Sequence, residues 1–311
     1  MRRIRCKVCR ENDMTETLMA TAVTRLEKGE VVLAAKNGIY IRDTEKWSRS
    51  LNDLNHAIRD LISEGNMIFG VGDKGIFIKS ENGGLNWTIR RFPTKASIWS
   101  ICSNSKGVLV THGEKVLYVS TDYGDTWKVV YPFNFPNAPS IRSLCLDKDK
   151  VLVGTKIHHS YGGVWCYDLR NEAITRIKLE NNRMIASLLA YEGLLIAASG
   201  SCKNHNGNIE FCYLNNAYDL KNKWITCINQ QQQSFLDLSA SNGRIYATST
   251  QNKEGYSFVL TVSIESKEIL PCNFVKGHGW RISSEADDYI VAGLYESIEY
   301  SSLNAIDHKI M

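Results

Sequence analysis

Ser80-Glu81-Asn82-Gly83-Gly84-Leu85-Asn86-Trp87 and Ser120-Thr121-Asp122-Tyr123-Gly124-Asp125-Thr126-Trp127 are two copies of one pattern, Ser-x-Asp/Asn-x-Gly-x-x-Trp, 40 residues apart. Each follows an apolar run with strand character, Ile76-Phe77-Ile78 in one and Val116-Leu117-Tyr118-Val119 in the other. A short Asp or Asn side chain bonds its own backbone around a turn, and Gly supplies positive φ without steric cost. The Trp then opens the next strand as a large apolar anchor. The pattern predicts a tight hairpin, and its recurrence predicts a repeat protein.

A second pattern runs the length of the chain. Val32-Leu33-Ala34, Ile68-Phe69-Gly70, Leu109-Val110-Thr111, Leu152-Val153-Gly154, Leu195-Ile196-Ala197, Ile245-Tyr246-Ala247 and Ile290-Val291-Ala292 each place two apolar residues before a small one. Their spacings run from 36 to 50 residues with a mean of 43. That period matches a four-stranded propeller blade, roughly 40–50 residues. The small third residue is expected where adjacent blades converge near a central axis. Short polar turns precede the triplets, such as Glu64-Gly65-Asn66 and Asn242-Gly243. Further strand-like runs lie upstream, such as Ile98–Cys102 and Ile141–Cys145. Each blade reads as inner strand, hairpin, second strand, loop, third strand, turn, outer strand. After the seventh triplet only one more strand fits, around Ile298-Glu299-Tyr300. Arg3-Ile4-Arg5-Cys6-Lys7-Val8 alternates charged and apolar residues, as an edge strand does. The expected fold is all-β: one domain over residues 1–311, a seven-bladed β-propeller of four-stranded antiparallel blades. Residues 1–13 are expected to be the outer strand that closes blade seven.

The two hairpin patterns resemble the Asp-box, or BNR, repeat of sialidase-like β-propellers. The resemblance implies a structural role for Ser80, Asn82, Gly84, Trp87, Ser120, Asp122, Gly124 and Trp127, between third and fourth strands and away from any substrate. Trp47 and Trp224 read as the ends of degenerate copies. Sialidases also need three arginines, a Tyr–Glu pair, an Asp acid and an Arg-Ile-Pro motif. Arg-Ile-Pro is absent, Tyr295-Glu296 is present in the seventh repeat, and no fitting arginine trio is recognisable, so no catalytic residue carries over. Seven-bladed Asp-box proteins also include photosystem II assembly factors, which are non-catalytic; the export signal expected of them is missing here.

The nine cysteines are an odd number and sit mostly inside apolar runs, as reduced buried thiols do. No secretory or membrane-spanning segment is apparent, so the expected location is cytoplasmic. A net charge of +4 is too slight to imply nucleic acid. Cys6-Lys7-Val8-Cys9 and Cys202-Lys203-Asn204-His205 have zinc-ligand types, but Cys6 and Cys9 fall on opposite faces of the expected strand, which argues against a shared site. No metal and no cofactor are expected. P-loop, dinucleotide and nucleophile-elbow motifs are missing.

Long polar loops at 156–163, 200–208 and 250–256 follow the second strands of blades four to six, against a few residues in blades one to three. They emerge on the face where propellers usually bind, beside the starts of the inner strands. The residues expected to meet a partner there are Trp99, Arg142, His158, His159, Tyr161, Arg183, His205, His278, Trp280 and Arg281. Packing between blades is the plainer reading of the Trp and Arg members. The expected function is a non-catalytic recognition or scaffold subunit for a protein partner, with neither nucleic acid nor membrane as partner. The alternative is a divergent glycan-active enzyme of sialidase-like architecture. A carboxylate pair at glycosidase separation in the central pocket favours the enzyme; an aromatic rim favours the scaffold.

Overall fold

The recurrent unit is an antiparallel sheet whose strands follow one another in sequence. In the computed structural model, the structure describes residues 2–3, 5–6, 16–17, 19–42, 47–52, 54–104, 106–200, 206–214, 223–229, 233–295 and 297–300. Six blades, each of four consecutive strands, span residues 20–52, 58–91, 101–130, 141–179, 184–226 and 235–276. The chain is thus a β-propeller, and the apolar triplets are the second strands. Val31–Ala35 is buried at every position, and Met67–Gly72 at all but its first. A strand covered on both faces by neighbouring blades reads as an apolar run, not as an alternation.

The expectation of seven four-stranded blades closed by residues 1–13 is corrected. Six blades of four consecutive strands form, not seven. The remaining sector has three strands of its own, Gly279–Glu285, Asp288–Gly293 and Ile298–Tyr300. Among the described residues of the N-terminal segment, Arg2–Arg3 joins it, as a two-residue pairing with Glu299 and Ile298. Arg5–Cys6 pairs instead with Glu16–Thr17 in a separate two-stranded sheet. Among the described residues the alternating run is thus divided between two partners, Ile298–Glu299 and Glu16–Thr17. Alternation shows which side chains share a face, but not where pairing ends.

The ring closes through its core. Gly279–Glu285 packs on the inner strand of blade one, Ala20–Arg25. Ile290 and Ala292 share a buried cluster with Val23, Val31 and Leu33, and Arg25 pairs with Glu285 at 3.4 Å. Such clusters lie between sheets all round the ring; Leu152, Ile185 and Leu195 join blades four and five. This locates the crowding that selects small residues. A Cβ on Gly154 would collide with Ser143 Oγ of its own blade and lie 2.7 Å from Ile185 of the next; one on Gly70 would lie 2.8 Å from Ile78 and Leu61 of its own blade. The contacts are on the second strand, with neighbouring strands of the same blade and with the next blade.

The two Ser-x-Asp/Asn-x-Gly-x-x-Trp segments connect third to fourth strands, as Lys79 pairs Thr88 and Val119 pairs Lys128. Ser120 Oγ accepts the Gly124 N–H at 2.8 Å, and Asp122 accepts the Thr126 N–H at 2.9 Å. Trp127 Nε1 donates to the Gly124 carbonyl at 3.0 Å. Ser80, Asn82, Gly84 and Trp87 repeat the scheme, and Trp87 also donates to Ser50 of blade one. Hydrogen bonds from Thr126, and then from Ser120, hold the Asp122 carboxyl down at about 2. Trp127 stands edge-on to Phe77 and Phe92, with centroids 5.3 and 5.0 Å away. Gly124 sits at φ +82°, with Phe77 Cζ 2.8 Å from where a Cβ would be.

Candidate functional site

Each inner strand is the edge of its sheet, so backbone N–H and C=O groups along it need partners from elsewhere. Short polar side chains of the preceding blade supply several of them. Thr21 donates to the Ile58 carbonyl at 2.6 Å. Asp60 accepts the Ile101 N–H at 2.9 Å, and Ser100 the Leu144 N–H at 3.0 Å. Ser143 donates to the Ile185 carbonyl at 2.8 Å, Ser187 to Asp237 at 3.0 Å, and Asp237 accepts the Ile282 N–H at 3.0 Å. These bonds step from blade one to the seventh sector. They sit where the inner strands slip register, at Ile58/Asp60, Ile141/Ser143, Ile185/Ser187, Phe235/Asp237 and Gly279/Arg281. A bulge re-aims one side chain; Arg59, Arg142 and Trp280 are among the residues it leaves without a partner.

Arg281 crosses the axis. From the seventh sector it donates to Asp237 at 2.9 Å, to the Arg59 carbonyl at 3.0 Å and to the Trp99 carbonyl, and it pairs with Asp60 at 3.3 Å. It thereby ties blades six, two and three together while only 7% exposed. Burial pushes the Asp60 carboxyl up to about 6, against the pull of Arg281 and with a further push from Asp237.

Above this hub Trp99 lies between two guanidinium groups, Arg59 at 4.8 Å and Arg142 at 4.6 Å from its ring centroid. Arg59 is also held by both carboxylate oxygens of Asp73, at 2.9 and 2.7 Å. Trp280 is 6.3 Å from Trp99 and 5.1 Å from His278. The Trp99 N–H donates to His112 Nε2 at 3.2 Å, so His112 Nδ1–H faces the Gly113 carbonyl at 2.5 Å. That neutral form fits its environment, since burial brings His112 down to about 4. Arg142 is 6% exposed, and burial followed by the charge of Arg281 lowers it to about 9.

The structure therefore brings Trp99, Arg142, Trp280, Arg281 and His278 together around the axis, but Arg142 and Arg281 are buried and not exposed anchors. His158, His159 and Tyr161 form a separate group on blade four. The two imidazoles stack at 4.6 Å, and the Tyr161 ring lies tilted against Phe135 at the same distance. Arg183 pairs with Glu180 at 2.9 Å and donates to the Asn206 carbonyl at 3.1 Å, on the side of the second long loop. His278 accepts the Gln251 N–H at 3.1 Å, which puts the loop of blade six on this face. His205 lies outside the described residues, as do Cys9, Cys202 and Glu296 of the motifs weighed above. Among the described residues no group of three or more His, Cys, Asp or Glu is placed to hold a metal ion. No helix there is long and apolar enough to cross a membrane, which leaves membrane β-barrels unaddressed.

Asp60, Asp237, Arg59 and His112 escape a motif search. A charged residue inside an apolar strand, Ile58-Arg59-Asp60-Leu61 or Leu236-Asp237-Leu238, was the available signal. Among buried residues, charge requires a partner.

Over 280 residues the chain is 38% identical to the uncharacterized protein YkuO of Bacillus subtilis strain 168, covering 89% of this chain and 94% of that protein. No protein-family model matches. YCF48 from Cyanidioschyzon merolae superimposes with a TM-score of 0.66 at 11% identity, over 92% of this chain and 96% of that one. A YCF48 chain bound to D1 peptide gives 0.66 at 14% identity, over 96% and 95%. The extracellular domain of BT4673 from B. thetaiotaomicron gives 0.70 at 12%, over 96% of this chain and 40% of that one. These likenesses of structure concern the fold.

Proposed function

The chain belongs to the family of Bacillus subtilis YkuO, and we propose that it is a non-catalytic recognition or scaffold protein that binds a protein partner on the face where its inner strands begin. The observation that carries this reading is the half-buried Trp99–Trp280 pair at the ring centre, flanked by Arg59, Arg142 and His278. Trp and Arg are the residue types that dominate protein interfaces, and central positions hold most of the energy. The aromatic and imidazole group of blade four extends the same face. Asp60 and Asp237 of the ring centre share one guanidinium, that of Arg281. We read the two hairpins as Asp-boxes of structural purpose. We place the protein in the cytoplasm, a reading supported by free thiols at Cys102, Cys145, Cys166, Cys212, Cys227 and Cys272. YCF48 bound to a peptide is a precedent for the fold and not for this partner.

The test is capture from native lysate by the parent and by Trp280→Ala, with bound proteins identified by mass spectrometry. A partner held by the parent and released at least tenfold by the variant, at unchanged melting temperature, is the expected result. A partner retained equally by Trp280→Ala and by variants with residues 156–163 or 250–256 shortened would move recognition to another surface.

A further inference from the structure

The net charge of +4 hides how unevenly charge is spread over the two faces of the ring. Connections from second to third strands, and from one blade to the next, lie on the face of Trp99 and His278. Connections from first to second and from third to fourth strands lie on the other. Among the described residues the first set carries seven Lys or Arg against four Asp or Glu, and the second carries six against ten. Two of the four acids on the first face are already held, Asp73 by Arg59 and Glu180 by Arg183. Lys36, Lys74, Lys95, Lys115, Lys156 and Lys253 are exposed there, and among the described residues none of them is in an ion pair.

Four of these lysines, Lys74, Lys95, Lys115 and Lys156, follow one another round blades two to four, beside Arg59, Trp99 and Arg142. Lys95 is on the connection that leads to Trp99, and Lys156 on the long loop that carries His158 and His159. Their charges reach the neighbouring imidazoles. Burial, and then the charges of Arg142 and Lys156, hold His112 down; burial, His159 and Lys115 do so for His158. Against this arc stand Asp73, already taken, and Glu114. Unpaired charges of one sign beside an aromatic anchor steer and select a partner of the opposite sign.

We propose that the protein partner presents an acidic segment, rich in Asp and Glu, to this arc, its carboxylates meeting Lys74, Lys95, Lys115 and Lys156 beside the Trp99–Trp280 pair. This rests on the protein-binding reading above and gives that partner its charge. Nucleic acid and anionic lipid share the sign but fit less well. Trp99 has guanidinium groups at 4.8 and 4.6 Å from its ring centroid, which leaves little of its faces for a base to stack on. A bilayer would meet few exposed large apolar side chains in the arc, Tyr131 and Ile157.

The test is fluorescence anisotropy of the full chain with a labelled twelve-residue glutamate peptide and a labelled twelve-nucleotide oligothymidylate, with co-sedimentation on phosphatidylglycerol–phosphatidylcholine vesicles. The peptide is expected to bind saturably in 50 mM NaCl, at least tenfold more weakly in 300 mM NaCl, and more tightly than the oligonucleotide, with no vesicle binding. Lys95→Glu, Lys115→Glu and Lys156→Glu together are expected to weaken the peptide at least tenfold. Lys28→Glu, Lys106→Glu and Lys148→Glu together change the net charge equally at exposed positions of the opposite face, and binding is expected to stay within twofold of the parent. Should the first triple variant not fold, Lys115→Glu alone, expected to weaken the peptide at least threefold, replaces it. Absence of peptide binding, tighter binding of the oligonucleotide, vesicle binding, or equal losses in the two triple variants overturns the proposal. A lysate partner released by Trp280→Ala but held undiminished by the Lys95, Lys115 and Lys156 variant also overturns it, and leaves the protein-binding reading standing. Peptide binding as expected, with no partner released by Trp280→Ala, supports the acidic preference and sinks the role given to Trp280.

Discussion

The hairpin at Ser120–Trp127 and the hub at Arg281 both satisfy polar groups with short hydrogen bonds, but they draw partners from different distances. Ser120 Oγ, Asp122 and Trp127 Nε1 all bond within four residues of themselves. Arg281 bonds Asp237, Trp99 and Arg59, which are 44, 182 and 222 residues away. The hairpin's own hydrogen bonds need only neighbours in sequence. The hub exists only when four sheets have assembled. What differs is the cost of failure: a broken hairpin loosens one turn and its packing on Phe77 and Phe92 of the preceding blade, whereas a broken hub leaves buried charges from several blades without partners.

The first way to break that contrast is Arg281→Ala. It leaves Asp60 and Asp237 buried and uncompensated, a loss expected to be about 3–5 kcal/mol. Urea denaturation of parent and variant measures it, and a cost below about 1 kcal/mol would reduce the hub to an incidental contact.

Next comes the pH dependence near the axis. Folded Asp60 holds its proton up to about 6, against 3.8 for the ordinary group. The folded state thus binds more protons than the unfolded one between those values, and this contribution to stability falls as pH rises. Folded His112 titrates at about 4, against 6.5, so its contribution rises with pH over nearly the same window. Each is worth about 3 kcal/mol, and in the parent the two largely cancel one another. Asp60→Asn removes the falling limb, so that variant is expected to lose about 3 kcal/mol between pH 6.5 and pH 4. Denaturant midpoints at a series of pH values decide it; a flat variant would show that the two groups are not opposed.

The smallest expected effect is at the hairpin. Trp127 is only half-buried, so Trp127→Ala is expected to cost about 2–3 kcal/mol, below the range of a fully buried aromatic. Capture of a partner per folded molecule should be unchanged, because the hairpin joins strands at the opposite face from Trp99 and His278. Loss of capture at retained stability would exchange the two faces.

The repeat was legible because each of its signals is local. Turn chemistry at Asn82 and Asp122, and the apolar second strands from Val31 to Gly293, predicted the blades and most of their inner strands. The candidate face was partly legible: Trp99, Trp280 and His278 do meet, and the long loop at 250–256 does reach them. The burial of Arg142 and Arg281 was not, because an Arg near the start of a strand looks alike whether it faces water or the axis. The closure at the N terminus was misjudged for a related reason. Arg3 to Val8 alternates as a strand should, but among the described residues Arg2 and Arg3 pair with Ile298–Glu299 and Arg5 and Cys6 with Glu16–Thr17.

By itself the sequence determined the period, the strand order within a blade and the geometry of the two hairpins, since each depends on backbone conformation and neighbours within a few residues. Only the tertiary structure decided how many blades are complete, which way the bulged residues at the ring centre point, and that Asp60 and Asp237 share Arg281. Those outcomes depend on which strands become neighbours around a closed ring. Residues hundreds of positions apart meet there because the inner edges must have their hydrogen bonds supplied, and no short stretch of chain encodes that meeting.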